Sequence, residues 1–567
     1  MGFTTFTVPV RAGPIRLRSV ADGHVPPGPV GRVWSGQRRT PVRSAGGGGM
    51  HNRTRWTRLA PAGAAALLTL GATALPPSAS AAGGRGTVPG PSDWPAFGHD
   101  IHHSFTGVTS LTPGTAASLT PAWFFQTGGA VTANPIVVRS TVYFGSWDGY
   151  FYAVDRSAGS LRWKYRLKDQ PAVSPQPGNP QPDPTTDGGL VTASAWFQPG
   201  TSRRPDLVIL AGGYTLYALD AGTGQLYWSH DYTGRPDLPP DPAHDGTRIF
   251  SSPVVAGNKV LVGVSSDGGA GRRGYFVAAD LTTGMPVWEF QTDVDTTGAV
   301  QNDGCGGVWS SPSVDEVRHL VSFGVADCNL RGTPPYNQRV LALHVSDGSL
   351  AWVFTPPRLR GVPAGKDPAC DFDFGATANL GSPDARTGAP TFLGIGGKDG
   401  TYYRLDPATG ALRWATNVVF GGFSGGFIGT TAYDGSRVYG ATALGMVGAS
   451  PDSSCPQTSD PRYELQDPSL HAFDAGGGVA WQQDHSQSVG ATTVAGGMTF
   501  VGLAATPQVQ VRSAASGDLV RSLPLAAPCF CAISVSGNAV FVGTGAPQQG
   551  SGDGVYAFTP LAAPPSP

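Results

Sequence analysis

The sequence predicts an all-β chain, an eight-bladed β-propeller with tryptophan-docking repeats, closed by pairing of its N- and C-terminal strands. Three observations predict it. The 567 residues include 81 glycines and 51 prolines, both poor in helix interiors. Hydrophobic residues still reach 40%, with 13 tryptophans and 25 phenylalanines, a content that disordered chains lack. Above all, one segment recurs along the chain.

The recurring segment reads AVDRSAGSLRW at Ala153–Trp163, ALDAGTGQLYW at Ala218–Trp228 and AADLTTGMPVW at Ala278–Trp288. It returns as ALHVSDGSLAW at Ala342–Trp352, RLDPATGALRW at Arg404–Trp414 and a shorter AFDAGGGVAW ending at Trp481. The tryptophans fall 60 to 67 residues apart, each four residues after a glycine. Repeats of this length with four strands each specify a propeller rather than a solenoid.

Each unit is read in order as four strands. The inner strand opens with a pattern such as SSPVV (Ser251–Val255) or SSPSV, whose second residue is Ser311. An apolar second strand follows, as in Val260–Val264 or Thr141–Phe144; the third ends in Ala-x-Asp and the fourth carries the tryptophan. The Asp-x-x-Thr-Gly between the last two is turn chemistry: aspartate accepts backbone hydrogen bonds and glycine supplies a positive φ. A degenerate seventh copy runs from Gly517 to Arg521, with arginine in the tryptophan's place. Pro121–Thr127 reads as an orphan fourth strand and Gly554–Phe558 as an orphan third strand. Joined, they complete an eighth blade and leave no open edge; seven blades or a broken eighth is the alternative. Residues required in every blade serve packing, so function is sought in what differs between blades.

The formal net charge of −1 hides an asymmetry. Up to Arg58 there are ten arginines against one acid, Asp22, whereas the chain from Ala82 onward holds 28 basic and 38 acidic residues. Residues 50–81 have the three parts of a secretory signal: positive Arg53, Arg55 and Arg58, an apolar Leu59–Leu75, and Ala79-Ser80-Ala81 before a cut near Ala82. The apolar run is too short and too glycine-rich for a membrane span. Residues 1–49 are read either as a disordered basic extension or as sequence upstream of a true start at Met50. The expected organisation is therefore residues 1–49, a signal over 50–81, a lead-in over 82–120, the propeller over 121–560 and a disordered tail over 561–567. An acidic, exported body excludes nucleic acid as a partner.

The Ala-x-Asp-x-x-Thr-Gly-x-x-x-Trp units resemble the tryptophan-docking motifs of quinoproteins, the pyrroloquinoline quinone (PQQ) dehydrogenases. Asp93–Asp100 (DWPAFGHD), Val308–Asp315 (VWSSPSVD) and Cys370–Leu380 (CDFDFGATANL) resemble segments of the polyvinyl alcohol dehydrogenase-like members. The resemblance implies roles residue by residue. Trp309, six residues before Asp315, corresponds to the tryptophan that stacks on the quinone, a flat platform for a flat cofactor. Lys398, in KDGTYYRLD, corresponds to the cation on the quinone oxygens, where it stabilises negative charge; the chain has only five lysines. Calcium beside the quinone needs several oxygen ligands. Asp327, with Asn329 as its neighbouring option, and Asp267 correspond to those ligands, and Arg273-Gly274-Tyr275 matches the usual sequel. The resemblance places the general base at the aspartate of one docking repeat, which here is His344. Asp371 or Asp373 is the substitute.

All six cysteines lie in the exported portion, which permits disulfides; fifteen pairings are open. Cys305 and Cys328 flank the Trp309 strand, and Cys529-Phe530-Cys531 stands in a late blade where the family's cysteine pair would be adjacent. No Cys-x-x-Cys-His occurs, so a dehydrogenase would need an external acceptor such as a cytochrome. His102-His103 reads as a solvated turn. Gly421–Gly426 lacks the helix and Lys-Ser/Thr context of a phosphate loop. Proline-rich Gln170–Asp187, Pro356–Asp371 and Pro451–Pro468 read as loops above the disc. The expected function is an exported PQQ- and Ca²⁺-dependent dehydrogenase oxidising an alcohol, polymeric or secondary alcohols included, to a carbonyl. The alternative is a non-catalytic propeller that binds a protein or polymer.

Overall fold

The computed structural model describes residues 88–167, 191–232, 247–266, 274–301, 305–326, 335–357, 372–419, 421, 425–443, 467–546 and 549–561. All the described residues belong to one compact unit. The expected signal at 50–81 and the extension before it lie outside the described residues, as do most of the three proline-rich loops.

Eight sheets follow one another, each built on four antiparallel strands, and two of them carry a short fifth strand. Their inner strands, in blades 1 to 8, are Ile136–Val138, Trp196–Gln198, Val254–Ala256, Ser313–Asp315, Asn379–Pro383, Ala432–Tyr433, Thr493–Ala495 and Ile533–Ser536. Burial follows position in the blade. In blade 1, Thr141–Gly145 is buried throughout, while the outermost strand Leu161–Arg166 alternates towards solvent. Middle strands are covered on both faces by neighbouring blades, so they read as unbroken apolar runs.

The eighth blade is built from both chain ends. Gln549–Pro560 pairs with Ala539–Ala546 on one side and with the N-terminal strand Leu119–Gln126 on the other, with Trp123 opposite Ala557. The expected closure is therefore the observed one, and the ring has eight blades.

Tryptophan docking works by the same contacts at seven seams. The indole N–H donates to a backbone carbonyl in the next blade's turn: Trp123 to Arg156, Trp163 to Ala221, Trp228 to Leu281, Trp288 to Val345, Trp352 to Pro407, Trp414 to Ala475 and Trp481 to Ala514, all at 2.9–3.1 Å. The ring then lies flat over that turn's glycine. At Gly284, with φ of 74°, a Cβ would stand 2.4 Å from Trp228. The eighth seam explains Arg521. A tryptophan there would need a turn between the third and fourth strands of blade 8, but those strands come from opposite chain ends and no turn joins them. A helical turn, Pro113–Ala116, fills the seam instead, with Leu111, Ala116 and Leu119 packed among Val509, Leu523 and Val540.

A second ring of contacts surrounds the axis. Two residues before most inner strands stands a hydroxyl that accepts the backbone N–H of the preceding blade. Asn134 N–H donates to Ser194 Oγ, Ser194 to Ser252, Ser252 to Ser311, Ser311 to Thr377 and Thr377 to Thr430, at 2.7–3.1 Å. Thr492 N–H reaches the Thr430 carbonyl, Thr493 Oγ1 reaches Ile533 O, and Asn134 Nδ2 reaches Ser534 Oγ to close the circle. The Ser-Ser-Pro pattern is thus an inter-blade clasp that satisfies buried amides.

The lead-in is part of the disc rather than a separate arm. From Trp94 to Ser110 it lies along the free edges of the inner strands. It accepts amides from Val137, Phe197, Val314, Leu380, Tyr433 and Val494 and donates to Gly537, touching seven of the eight blades. Thr106–Gly107 even adds a parallel strand to blade 7. The reading of His102-His103 as a solvated turn is corrected here. His102 pairs with Glu316 at 2.9 Å, but His103 is fully buried, with Nδ1 2.7 Å from Phe97 O and Nε2 2.8 Å from Pro312 O. A segment laid along the inner strands is covered by them, which is why a side chain such as His103 ends up buried and bonded.

Candidate active site

Three of the residues singled out by sequence meet at the seam of blades 4 and 5. Trp309 lies on the approach to the inner strand of blade 4, Asp373 on the approach to that of blade 5, and Lys398 in the corner between Pro390–Gly396 and Thr401–Leu405. The Trp309 indole N–H donates to Asp373 Oδ2 at 2.9 Å. Lys398 Nζ sits 2.9 Å from Asp373 Oδ1 and 5.2 Å from the centre of the Trp309 ring. Asp373 and Lys398 are buried, while Trp309 is half-buried and keeps part of its surface open. The arrangement presents an aromatic face with an ammonium at its rim and a carboxylate fixing both. A buried ion pair needs this completeness, because desolvating either charge alone costs several kcal/mol, of order 3–5.

Glycines make the approach possible. A Cβ on Gly375 would stand 1.6 Å from Trp309 Cη2, so the ring is wedged directly against that backbone. The run Gly421–Gly426 finds its role here. Cβ atoms on Gly421 and Gly426 would stand 1.5 and 2.3 Å from the Lys398 carbonyl, so the next blade's approach presses on the Lys398 corner. These glycines were not anticipated as part of the site. The available signal was a glycine run spaced like the approach to an inner strand.

Beneath Lys398, Asp399 accepts the Thr401 N–H at 2.9 Å and the Tyr403 hydroxyl. Burial pushes its carboxyl up to about 6, against the opposing pull of those two donors. The carboxyl braces the lysine corner from inside the blade.

The other expected site residues divide into two groups. Asp267, Arg273, Asp327, Asn329 and Asp371 lie outside the described residues. His344 is described, and it does not join the site. It ends the strand Val340–His344, exposed in the docking turn, while the opposite end of that blade, at Gly324, is bonded to Ser310 beside Trp309. Four residues of strand put roughly 13 Å between the two ends. The docking turns all lie on the far side of the blades from the approaches that carry Trp309 and Asp373, so a base at position 344 is corrected on geometry. Among the described residues no group of three or more His, Cys, Asp or Glu side chains is placed to hold a metal ion. Cys529 and Cys531 form a disulfide with each other, buried just before the inner strand of blade 8, and Cys305 is also disulfide-bonded. Among the described residues no helix is long and apolar enough to cross a membrane.

Comparison with known proteins agrees with this architecture. A polyvinylalcohol dehydrogenase of Sphingopyxis sp. (strain 113P3) is 26% identical over 341 residues, covering 56% of this chain and 49% of that protein. The dehydrogenase subunit of the quinone alcohol dehydrogenase of Komagataeibacter europaeus is 24% identical over 399 residues, covering 62% and 49%. The chain thus spans about half the length of these relatives. The solved quinohemoprotein alcohol dehydrogenase from Comamonas testosteroni superposes with a TM-score of 0.63 at 18% identity, over 84% of this chain and 82% of that one, a likeness of fold. The PQQ family, described as the glucose/ethanol/alcohol dehydrogenase β-propeller domain, matches residues 94–419, and by that match this chain belongs to it.

Proposed function

We propose that this chain is an exported PQQ- and calcium-dependent dehydrogenase that oxidises an alcohol to a carbonyl and passes the electrons to an external acceptor such as a cytochrome. The observation that carries the reading is the meeting of Trp309, Asp373 and Lys398 at one seam. The donor set suits a flat, negatively charged quinone: a half-open indole face for stacking and a buried cation at its edge. PQQ, when bound, accepts the hydride of the alcohol's carbinol carbon.

The chain's own residues supply placement and proton handling. Trp309 offers the stacking face, and Lys398 offers its ammonium to the quinone oxygens, joined by Arg273. Asp373 holds Trp309 through Oδ2 and Lys398 through Oδ1, so taking a proton would loosen one of them. We therefore assign Asp373 to positioning and Asp371, two residues earlier in the sequence, to the base role. Calcium belongs to Asp267, Asp327 and Asn329. The placement of His344 on an exposed turn favours a second reading, a non-catalytic scaffold for a protein or polymer.

One assay separates the two. Purified protein is given PQQ and Ca²⁺, and quinone absorbance and dye reduction are followed with primary, secondary and polymeric alcohols. Saturable quinone absorbance lost in Trp309→Ala, with alcohol-dependent dye reduction, is the expected result. Absence of quinone binding overturns the enzyme reading. N-terminal sequencing of secreted protein, expected to begin near Ala82, tests export.

A further inference from the structure

Two blades share one corner motif, an Asp-Gly pair that leads into the third strand. In blade 1, Asp148 Oδ1 accepts the Tyr150 N–H at 3.0 Å and Oδ2 accepts the Tyr152 hydroxyl at 2.6 Å. In blade 5, Asp399 accepts the Thr401 N–H and the Tyr403 hydroxyl in the same pattern. Both corners read Asp-Gly-x-x-Tyr. In blade 8 the acid stands one place further on: Gly554 pairs with Gln126 and Ala557 with Trp123 as Tyr150 pairs with Arg166 and Ala153 with Trp163, so Tyr556 corresponds to Tyr152 and Asp553 to Gly149. Asp553 is 1% exposed, and among the described residues neither of its carboxylate oxygens has a hydrogen-bond partner.

Asp553 does not stand alone. The consecutive amides of Thr127 and Gly128 donate to the Asp553 carbonyl and to Asp148 Oδ2, at 3.1 and 2.8 Å, which holds the two corners against one dipeptide. Burial first, and the Asp148 charge next, hold the Asp553 carboxyl up at about 7. Among the described residues neither carboxylate has a lysine, arginine or histidine in ion-pair contact. Two acids held by one dipeptide, one of them with both oxygens unpartnered, thus lie near each other without a counter-charge among the described residues. Burying such a group is costly unless something pairs with it.

We propose that Asp553 and Asp148 bind a calcium ion at the seam of blades 8 and 1, a site separate from the cofactor pocket of blades 4 and 5. A divalent ion neutralises both acids, and calcium takes oxygen ligands with water completing its shell. The ion would sit where the end of the N-terminal strand, the C-terminal strand at Asp553 and the blade 1 corner converge. It would staple the closure of the ring.

The test is calorimetric titration of the EDTA-treated full chain, without PQQ, using CaCl2 as the probe. Asp553→Asn is expected to bind one calcium ion fewer per chain and to lose the upward shift in melting temperature that calcium gives the wild type. Asp148→Asn is expected to weaken that ion at least tenfold, whereas Asp327→Asn, at the proposed cofactor calcium, retains it. Circular dichroism of each variant establishes folding, and the near-isosteric amide at 553 removes only charge. Equal calcium stoichiometry in wild type and Asp553→Asn overturns the proposal, as does loss of all binding in Asp327→Asn. Failure of PQQ binding leaves this result unaffected, because the two sites are read separately.

Discussion

The Lys398 ammonium and the Trp309 indole N–H take opposite oxygens of the Asp373 carboxylate, each at 2.9 Å. One buried acid therefore sets both the stacking face and the cation beside it. Lys398→Met removes the ammonium and leaves the acid's charge in place, so it is expected to cost about 3–5 kcal/mol of stability. Adding Asp373→Asn should recover most of that loss. Urea unfolding of the two single variants and the double variant checks this; additive losses would show that the pair is not coupled.

The docking seams predict a contrast between two glycines of similar φ. At Gly284, φ is 74° and a Cβ would meet Trp228 at 2.4 Å, whereas at Gly257, φ is 60° and nothing lies within 4 Å. Gly257→Ala should cost only the left-handed backbone strain, about 1–2 kcal/mol. Gly284→Ala adds overpacking of a further 1–3 kcal/mol or so and should shift the tryptophan emission. Equal losses would refute the docking role.

Arg521 occupies the tryptophan position of blade 7 and is exposed. Because no turn of blade 8 faces it, Arg521→Trp should change stability by no more than about 0.5 kcal/mol. A gain comparable to the cost of losing a docked tryptophan elsewhere would mean that a docking surface exists at the eighth seam.

Asp399 gives a pH signature. Its folded carboxyl is raised from 3.8 to about 6, so between those values the folded state binds more protons than the unfolded state. Its contribution is fully present below about pH 4 and is lost as the pH rises through 6. The loss is about 3 kcal/mol at most, at 1.36 kcal/mol per unit. Asp399→Asn should remove this falling limb from the stability curve between pH 4 and 7. An unchanged slope in chemical unfolding at several pH values would contradict the assignment.

Much of the architecture was legible because each signal is local. The spacing of Trp163, Trp228, Trp288, Trp352, Trp414 and Trp481 and their glycines states how one blade meets the next, and the orphan segments at Pro121 and Gly554 state how the ring closes. The candidate site was legible in part. Trp309 and Lys398 stood out as departures from the repeat, but His344 sits inside a docking turn, where position in the motif revealed nothing about which end of the blade it occupies. His103 was misread for the same reason: two adjacent histidines look like a turn until inner strands surround them.

The sequence by itself determined the repeat, the tryptophan seams and the expected pairing of the two chain ends, since these depend on residues at fixed spacing within one unit and its neighbour, while eight blades rather than seven came from the structure. Only the tertiary structure decided that Trp309 and Lys398 share the Asp373 carboxylate, that the lead-in lies along the inner strands, and that Asp553 is buried with neither carboxylate oxygen partnered among the described residues. Those are contacts between blades, and they arise because ring closure desolvates groups that are distant along the chain and leaves each to find, or lack, a partner.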